Sequence, residues 1–124
     1  MKKLLLAILI LACVSCLNQT VNTETTFLKG RTFDEVWDAS IKAVNDIEFT
    51  IDSIDKEAGF IGAERGMHPL GGDAPPRISI MVKKSDRDVS VDCKVLQKEQ
   101  FVDALGMGKK IVRGFMIALN QNLD

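Results

Sequence analysis

Ile78-Ser79-Ile80-Met81-Val82-Lys83, then Ser85-Asp86-Arg87, then Val89-Ser90-Val91-Asp92-Cys93-Lys94-Val95 is the stretch that decides the fold. In the first arm Ile78, Ile80 and Val82 alternate with Ser79, Met81 and Lys83. In the second, Val89, Val91, Cys93 and Val95 alternate with Ser90, Asp92 and Lys94. This two-residue period belongs to strands with one face on a core and the other in water, and the polar triplet between the arms turns the chain into a hairpin. Cys93 falls on the apolar face, where a thiol acts as a small hydrophobe and its pKa rises, so it is expected to be inert.

Upstream, Ile47, Phe49 and Ile51 alternate with Glu48, Thr50 and Asp52. Asp55-Lys56-Glu57-Ala58-Gly59 carries turn chemistry, and Phe60 to Arg65 returns as the second arm of another hairpin, with Gly62 marking a bulge or a close backbone approach. Before it, Thr32 followed three residues later by Glu35 has the spacing of a capping box, in which each side chain satisfies an otherwise unpaired backbone N–H. Phe33, Val36, Trp37, Ser40, Ile41 and Val44 share one face of the helix that follows, which runs to about Asn45. Trp37 reads as a core anchor. A first strand is expected over 25–29, closed by Gly30.

Downstream, a last helix is predicted from about Gln100 or Asp103 to Asn122, with Ala104, Gly108, Ile111, Val112, Phe115, Ala118 and Leu119 on a common face. Its glycines each weaken it by up to about 1 kcal/mol relative to alanine, so packing on the sheet must hold it. The order β-α-β-β-β-β-α predicts an α+β two-layer sandwich, an antiparallel sheet of about five strands with helices on one face. Trp37 and Phe115 should both be buried against Ile47, Phe49, Ile78, Ile80, Val89 and Val91. Between the hairpins, Gly66-Met67-His68-Pro69-Leu70-Gly71-Gly72-Asp73-Ala74-Pro75-Pro76 is a loop. Met67, His68 and Leu70 are its candidate contact residues, set against the reading of the loop as a plain connector.

The N-terminus carries different information. Lys2 and Lys3 precede an unbroken apolar run from Leu4 to Ala12, and small residues lead to Val14-Ser15-Cys16. The run is about half the roughly 20 residues needed to span a bilayer. It resembles a bacterial lipoprotein signal peptide, which implies a leader over 1–15, acylation of Cys16 with Cys13 as the alternative, a polar tether over 16–26 and a single domain over 27–124. An unlipidated secretory signal would need a small-x-small cleavage site that Ala12-Cys13-Val14-Ser15 supplies poorly. Leu17 after Cys16, rather than Asp, resembles the sorting pattern for outer-membrane delivery, so the expected location is the periplasmic side of that membrane.

Charge and motif content narrow the chemistry. The chain has 16 Lys plus Arg against 17 Asp plus Glu, and losing Lys2 and Lys3 with the leader brings the remainder near −3. That argues against a nucleic-acid partner, which calls for a basic patch. With Cys16 acylated, Cys93 is the one thiol remaining, so no internal disulfide is expected. Gly106-Met107-Gly108-Lys109-Lys110 departs from a phosphate loop in glycine spacing and lacks the following Ser or Thr. His68 is the sole histidine, which excludes a His-based metal cluster, and no calcium-loop pattern is present. Asp52, Asp55 and Glu57, like Asp86 and Asp88, sit where solvated turns explain them. No cofactor is implied, and no enzyme is expected.

The stretch Arg31-Thr32-Phe33-Asp34-Glu35-Val36-Trp37-Asp38-Ala39, with Ile47 to Ile54 and Asp55-Lys56-Glu57-Ala58-Gly59-Phe60-Ile61, resembles the Phe-x-x-x-Trp, strand, Asp-x-x-x-Gly-x-Ile pattern of small envelope lipoproteins. These include the helix-grip domains of BamC-like lipoproteins of the outer-membrane β-barrel assembly machinery. The resemblance implies a fold and a location. The expected role is a non-catalytic accessory or scaffold lipoprotein, anchored by lipid and contacting an unidentified envelope protein. The alternative is a binder of a small apolar ligand or lipid, enclosed between sheet and C-terminal helix.

Overall fold

The computed structural model describes residues 20–66, 76–97 and 106–124. Strand β1 (Thr20–Lys29) leads to helix α1 (Phe33–Asp46), four strands follow as β2 (Phe49–Asp55), β3 (Phe60–Arg65), β4 (Arg77–Lys84) and β5 (Asp88–Gln97), and helix α2 (Met107–Leu123) ends the chain. The strands form one open antiparallel sheet in the order β1-β5-β4-β3-β2. Both helices pack on one face, α1 against β2 and β4 and α2 against β5 and β1, with extensive contact between them. The α+β two-layer sandwich expected from the sequence is the observed fold.

The β4–β5 hairpin supplies the core. Ile78, Ile80, Val82, Val89, Val91, Cys93 and Val95 are all buried, while Lys83 and Lys94 on the other face meet water. Above them, Val36, Trp37, Ala39, Ala43 and Val44 come from α1, and Ile111, Val112, Phe115, Met116 and Leu119 from α2. Trp37 and Phe115 are buried as expected, and Phe33 stacks on Trp37 one turn away at 5.9 Å between ring centroids. The capping box is formed in full: Glu35 N–H donates to Thr32 Oγ1 at 3.2 Å, and Thr32 N–H donates to Glu35 Oε2 at 3.3 Å. Ser40, the buried polar residue of α1, donates to the Val36 carbonyl at 2.7 Å.

Four local expectations are corrected. First, β1 begins at Thr20, not in the mid-twenties, and pairs with β5 without interruption from Thr20↔Gln97 to Lys29↔Asp88. Residues 20–26 therefore belong to the sheet, and any tether after Cys16 is shorter than the span to residue 26. The stretch reads as a tether because an edge strand keeps polar side chains on its wet side, while its β-branched threonines suit extended backbone. Second, Ile47 caps α1 instead of entering the strand, and Glu48 takes a left-handed φ of 65° to redirect the chain into β2.

Third, the bulge flagged by Gly62 lies on the facing strand. The register moves from Ile51↔Ala63 to Ser53↔Gly62, so Asp52 is the extra residue. A Cβ on Gly62 would crowd the Phe60 ring and Ser53 Cβ at 3.2–3.3 Å, which is why that position stays bare. Beyond the bulge Ile54 stands 54% exposed. Fourth, Gly106 is the cap residue of α2 with φ 68°, outside the helix proper, and the described helix starts at Met107. The expected beginning over 100–105 lies outside the described residues.

Candidate functional site

The residues singled out by sequence for lipidation, Cys13 and Cys16, and for contact, Met67, His68 and Leu70, all lie outside the described residues. The loop that carries the last three springs from a defined base, where Arg65 N–H donates to the Pro76 carbonyl at 3.2 Å and holds β3 and β4 together. Cys93 is buried on the apolar face, and desolvation, followed by the nearby Glu24 charge, pushes its pKa well above the ordinary value, which disfavours the thiolate that a nucleophile or metal ligand needs.

The acidic clusters also resolve into structural work. Arg77 binds Asp52 with two bonds, Nη1 to Oδ2 at 2.9 Å and Nη2 to Oδ1 at 3.0 Å, and Glu64 with a third at 3.1 Å. These bonds, that to Asp52 above all, raise the Arg77 pKa further. Asp55 Oδ1 accepts from Ala58 N–H at 3.1 Å in the β2–β3 turn, and Ser85 N–H donates to the Asp88 carbonyl at 2.9 Å in the β4–β5 turn. Among the described residues no cluster of three metal-ligating side chains occurs, and no helix is long and apolar enough to cross a membrane.

Arg65 is the residue that sequence reasoning passed over. It ends β3 beneath α1, donates through Nη2 to the Ile47 carbonyl at 3.2 Å and stacks 4.9 Å above the Phe49 ring, with Nε buried and unpartnered among the described residues. Helix α1 has no basic residue in its last turn. Arg65 supplies that charge from a different element, placing a cation at the negative end of the helix dipole. It borders a cleft of about 310 Å³ shared with Ile47, Glu48, Lys110 and Ile111. The only sequence signal was a lone arginine closing an apolar strand before Gly66.

The sheet's two edges differ. On β2 the bulge, Asp52, Ser53 and Asp55 interrupt the edge, in the manner that blocks pairing with another strand. On β1 the register is unbroken over ten residues, proline is absent, and Glu24 and Lys29 are the only charges. Val21 and Phe27 on its outer side are 44% and 66% exposed. Such an edge offers a row of backbone groups and apolar contacts to a partner strand. On the inner face, Phe115 and Leu119 of α2 are buried with Ile80 and Val91 of the sheet, while nearer the start of α2 a cleft lies between Lys109, Val112 and Arg113 and the β1 residues Asn22, Thr23 and Glu24.

These features define a class, the open five-stranded α+β sandwich with both helices on one face. No family model and no curated protein matches the chain. Solved structures with the same fold include an uncharacterised protein from Bacillus thuringiensis, with a TM-score of 0.58 at 10% identity over 84% of this chain and 98% of that one. Norcoclaurine synthase from Thalictrum flavum, determined with dopamine and hydroxybenzaldehyde, aligns with a TM-score of 0.52 at 10% identity over 83% and 85%. At this identity the likeness concerns the fold alone.

Proposed function

We propose that the protein is a membrane-anchored bacterial envelope lipoprotein, acylated at Cys16 and acting as a non-catalytic accessory that binds another envelope protein through the open edge of β1. The contrast between the two edges carries this reading: β2 is interrupted and charged, whereas β1 presents ten regular residues. Support also comes from the inner face, where Phe115 and Leu119 of α2 are buried with Ile80 and Val91 of the sheet, an arrangement that favours a packed core over an apolar-ligand cavity at that place. The resemblance of the leader and of the Phe33 to Ile61 pattern to envelope lipoproteins, BamC-like ones included, points to the same location.

Two measurements test it. Radiolabelled palmitate should enter the wild-type protein and not Cys16→Ala; absence of label from wild type overturns the lipoprotein reading, and label retained in Cys16→Ala moves the site to Cys13. A photo-crosslinking residue at Thr23 or Phe27 should trap one defined protein in intact cells, whereas the same residue at Asn120 on α2 should not. Equal trapping from both positions would remove the edge from the mechanism.

A further inference from the structure

We propose that the first two turns of α2, bearing Lys109, Lys110 and Arg113, lie against the anionic phosphate headgroups of the bilayer in which the chain is anchored. The proposal rests on acylation at Cys16. From Cys16 to Thr20, the first residue of β1, the chain takes four steps, which at full extension reach about 14 Å. Strand β1 itself is about 33 Å long. The anchor therefore keeps the start of β1 close to the headgroups, whatever tilt the domain adopts about that point.

The fold brings α2 to the same end. Asn22, Thr23 and Glu24 at the start of β1 share a cleft with Lys109, Val112 and Arg113. Lys110 borders the neighbouring cleft with Glu48 and Arg65. Lys109, Lys110 and Arg113 are all exposed; Lys109 and Arg113, four residues apart, are neighbours on one face of the helix, and Lys110 lies about 100° around it from Lys109. Among the described residues none of the three is in a salt bridge. Among the described residues the acidic groups lining the same two clefts are Glu24, Glu48 and Asp46, the last engaged by Asn122 at 2.8 Å. Cations are drawn to an anionic surface over a Debye length of about 8–10 Å, and a tether of at most about 14 Å lets this end of the domain come within that range.

The test uses the full-length acylated protein in vesicles of phosphatidylethanolamine and phosphatidylglycerol at three to one, with vesicles of phosphatidylcholine alone as the neutral control. An environment-sensitive fluorophore on Lys109→Cys should be quenched by a headgroup-level spin-labelled lipid at least twofold more than one on Asp86→Cys in the β4–β5 turn. Adding Lys110→Gln and Arg113→Gln, or moving to the neutral vesicles, should reduce that difference by half or more. Equal quenching at the two positions, or no response to charge removal and lipid charge, overturns the proposal while leaving the anchor intact. Anchoring is read separately, by flotation of the protein with its vesicles. Failure to float, matched by Cys16→Ala, would instead remove the anchor and the proposal with it.

Discussion

Arg77 on β4 reaches across β3 to Asp52 on β2, closing two bonds of 2.9 and 3.0 Å on the residue that forms the bulge. The pair ties an edge strand to the middle of the sheet at the point where its register is broken. Both side chains are partly exposed, so water screens the attraction. Arg77→Met should cost no more than about 1 kcal/mol in urea denaturation, and a double-mutant cycle with Asp52→Asn should return a coupling of about 0.5 kcal/mol that shrinks at high salt. A coupling several times larger would mean that the bulge itself depends on the pair.

Phe115→Ala and Trp37→Ala should each lose about 3–5 kcal/mol of unfolding free energy, since both rings fill space that neighbouring side chains cannot close. Ile117→Ala, one turn-face away and 53% exposed, should change stability by less than about 0.5 kcal/mol. Chemical denaturation followed by the single tryptophan serves for the Phe115 and Ile117 variants, and circular dichroism for Trp37→Ala. Near-wild-type stability of Trp37→Ala would assign that ring a role at a surface.

Cys93 should make stability fall in alkali. Its thiol loses a proton near 9.0 in the unfolded chain and only at higher pH in the folded one, because burial and Glu24 both oppose the thiolate. Above pH 9 the folded state then holds the extra proton, and unfolding free energy declines by up to about 1.4 kcal/mol per pH unit. Below pH 9 the contribution is fully present. Cys93→Val should abolish this component of the pH profile, and native Cys93 should resist thiol reagents at pH 8 until denaturant is added. A profile unchanged by the substitution would show that other groups set the alkaline limit.

Two backbone positions should respond in opposite directions. Gly59 has φ 74°, and a Cβ there would fall on the carbonyl oxygen of Val82, whose N–H donates to the Gly59 carbonyl at 2.8 Å. Gly59→Ala should cost more than about 1–2 kcal/mol. Glu48 carries a side chain at φ 65°, so Glu48→Gly should be neutral or stabilising by up to about 1 kcal/mol. Thermal melts of the two variants, run side by side, check both signs.

What the sequence by itself determined is what short-range physics encodes. The alternation from Ile78 to Val95 contains the β4–β5 hairpin, Thr32 and Glu35 contain the start of α1, and the faces of Val36 and Phe115 contain the core, because period, cap and turn are each complete within a few residues. Only the tertiary structure decided that residues 20–26 are a strand, since their partners, Lys94 to Gln97 among them, lie some seventy residues away. The same holds for the candidate sites. Arg65 completes the end of α1 from another element, and Lys109 and Arg113 meet the start of β1 only because α2 crosses back over β5 and β1. Such relations join separate segments through packing and have no local period to announce them.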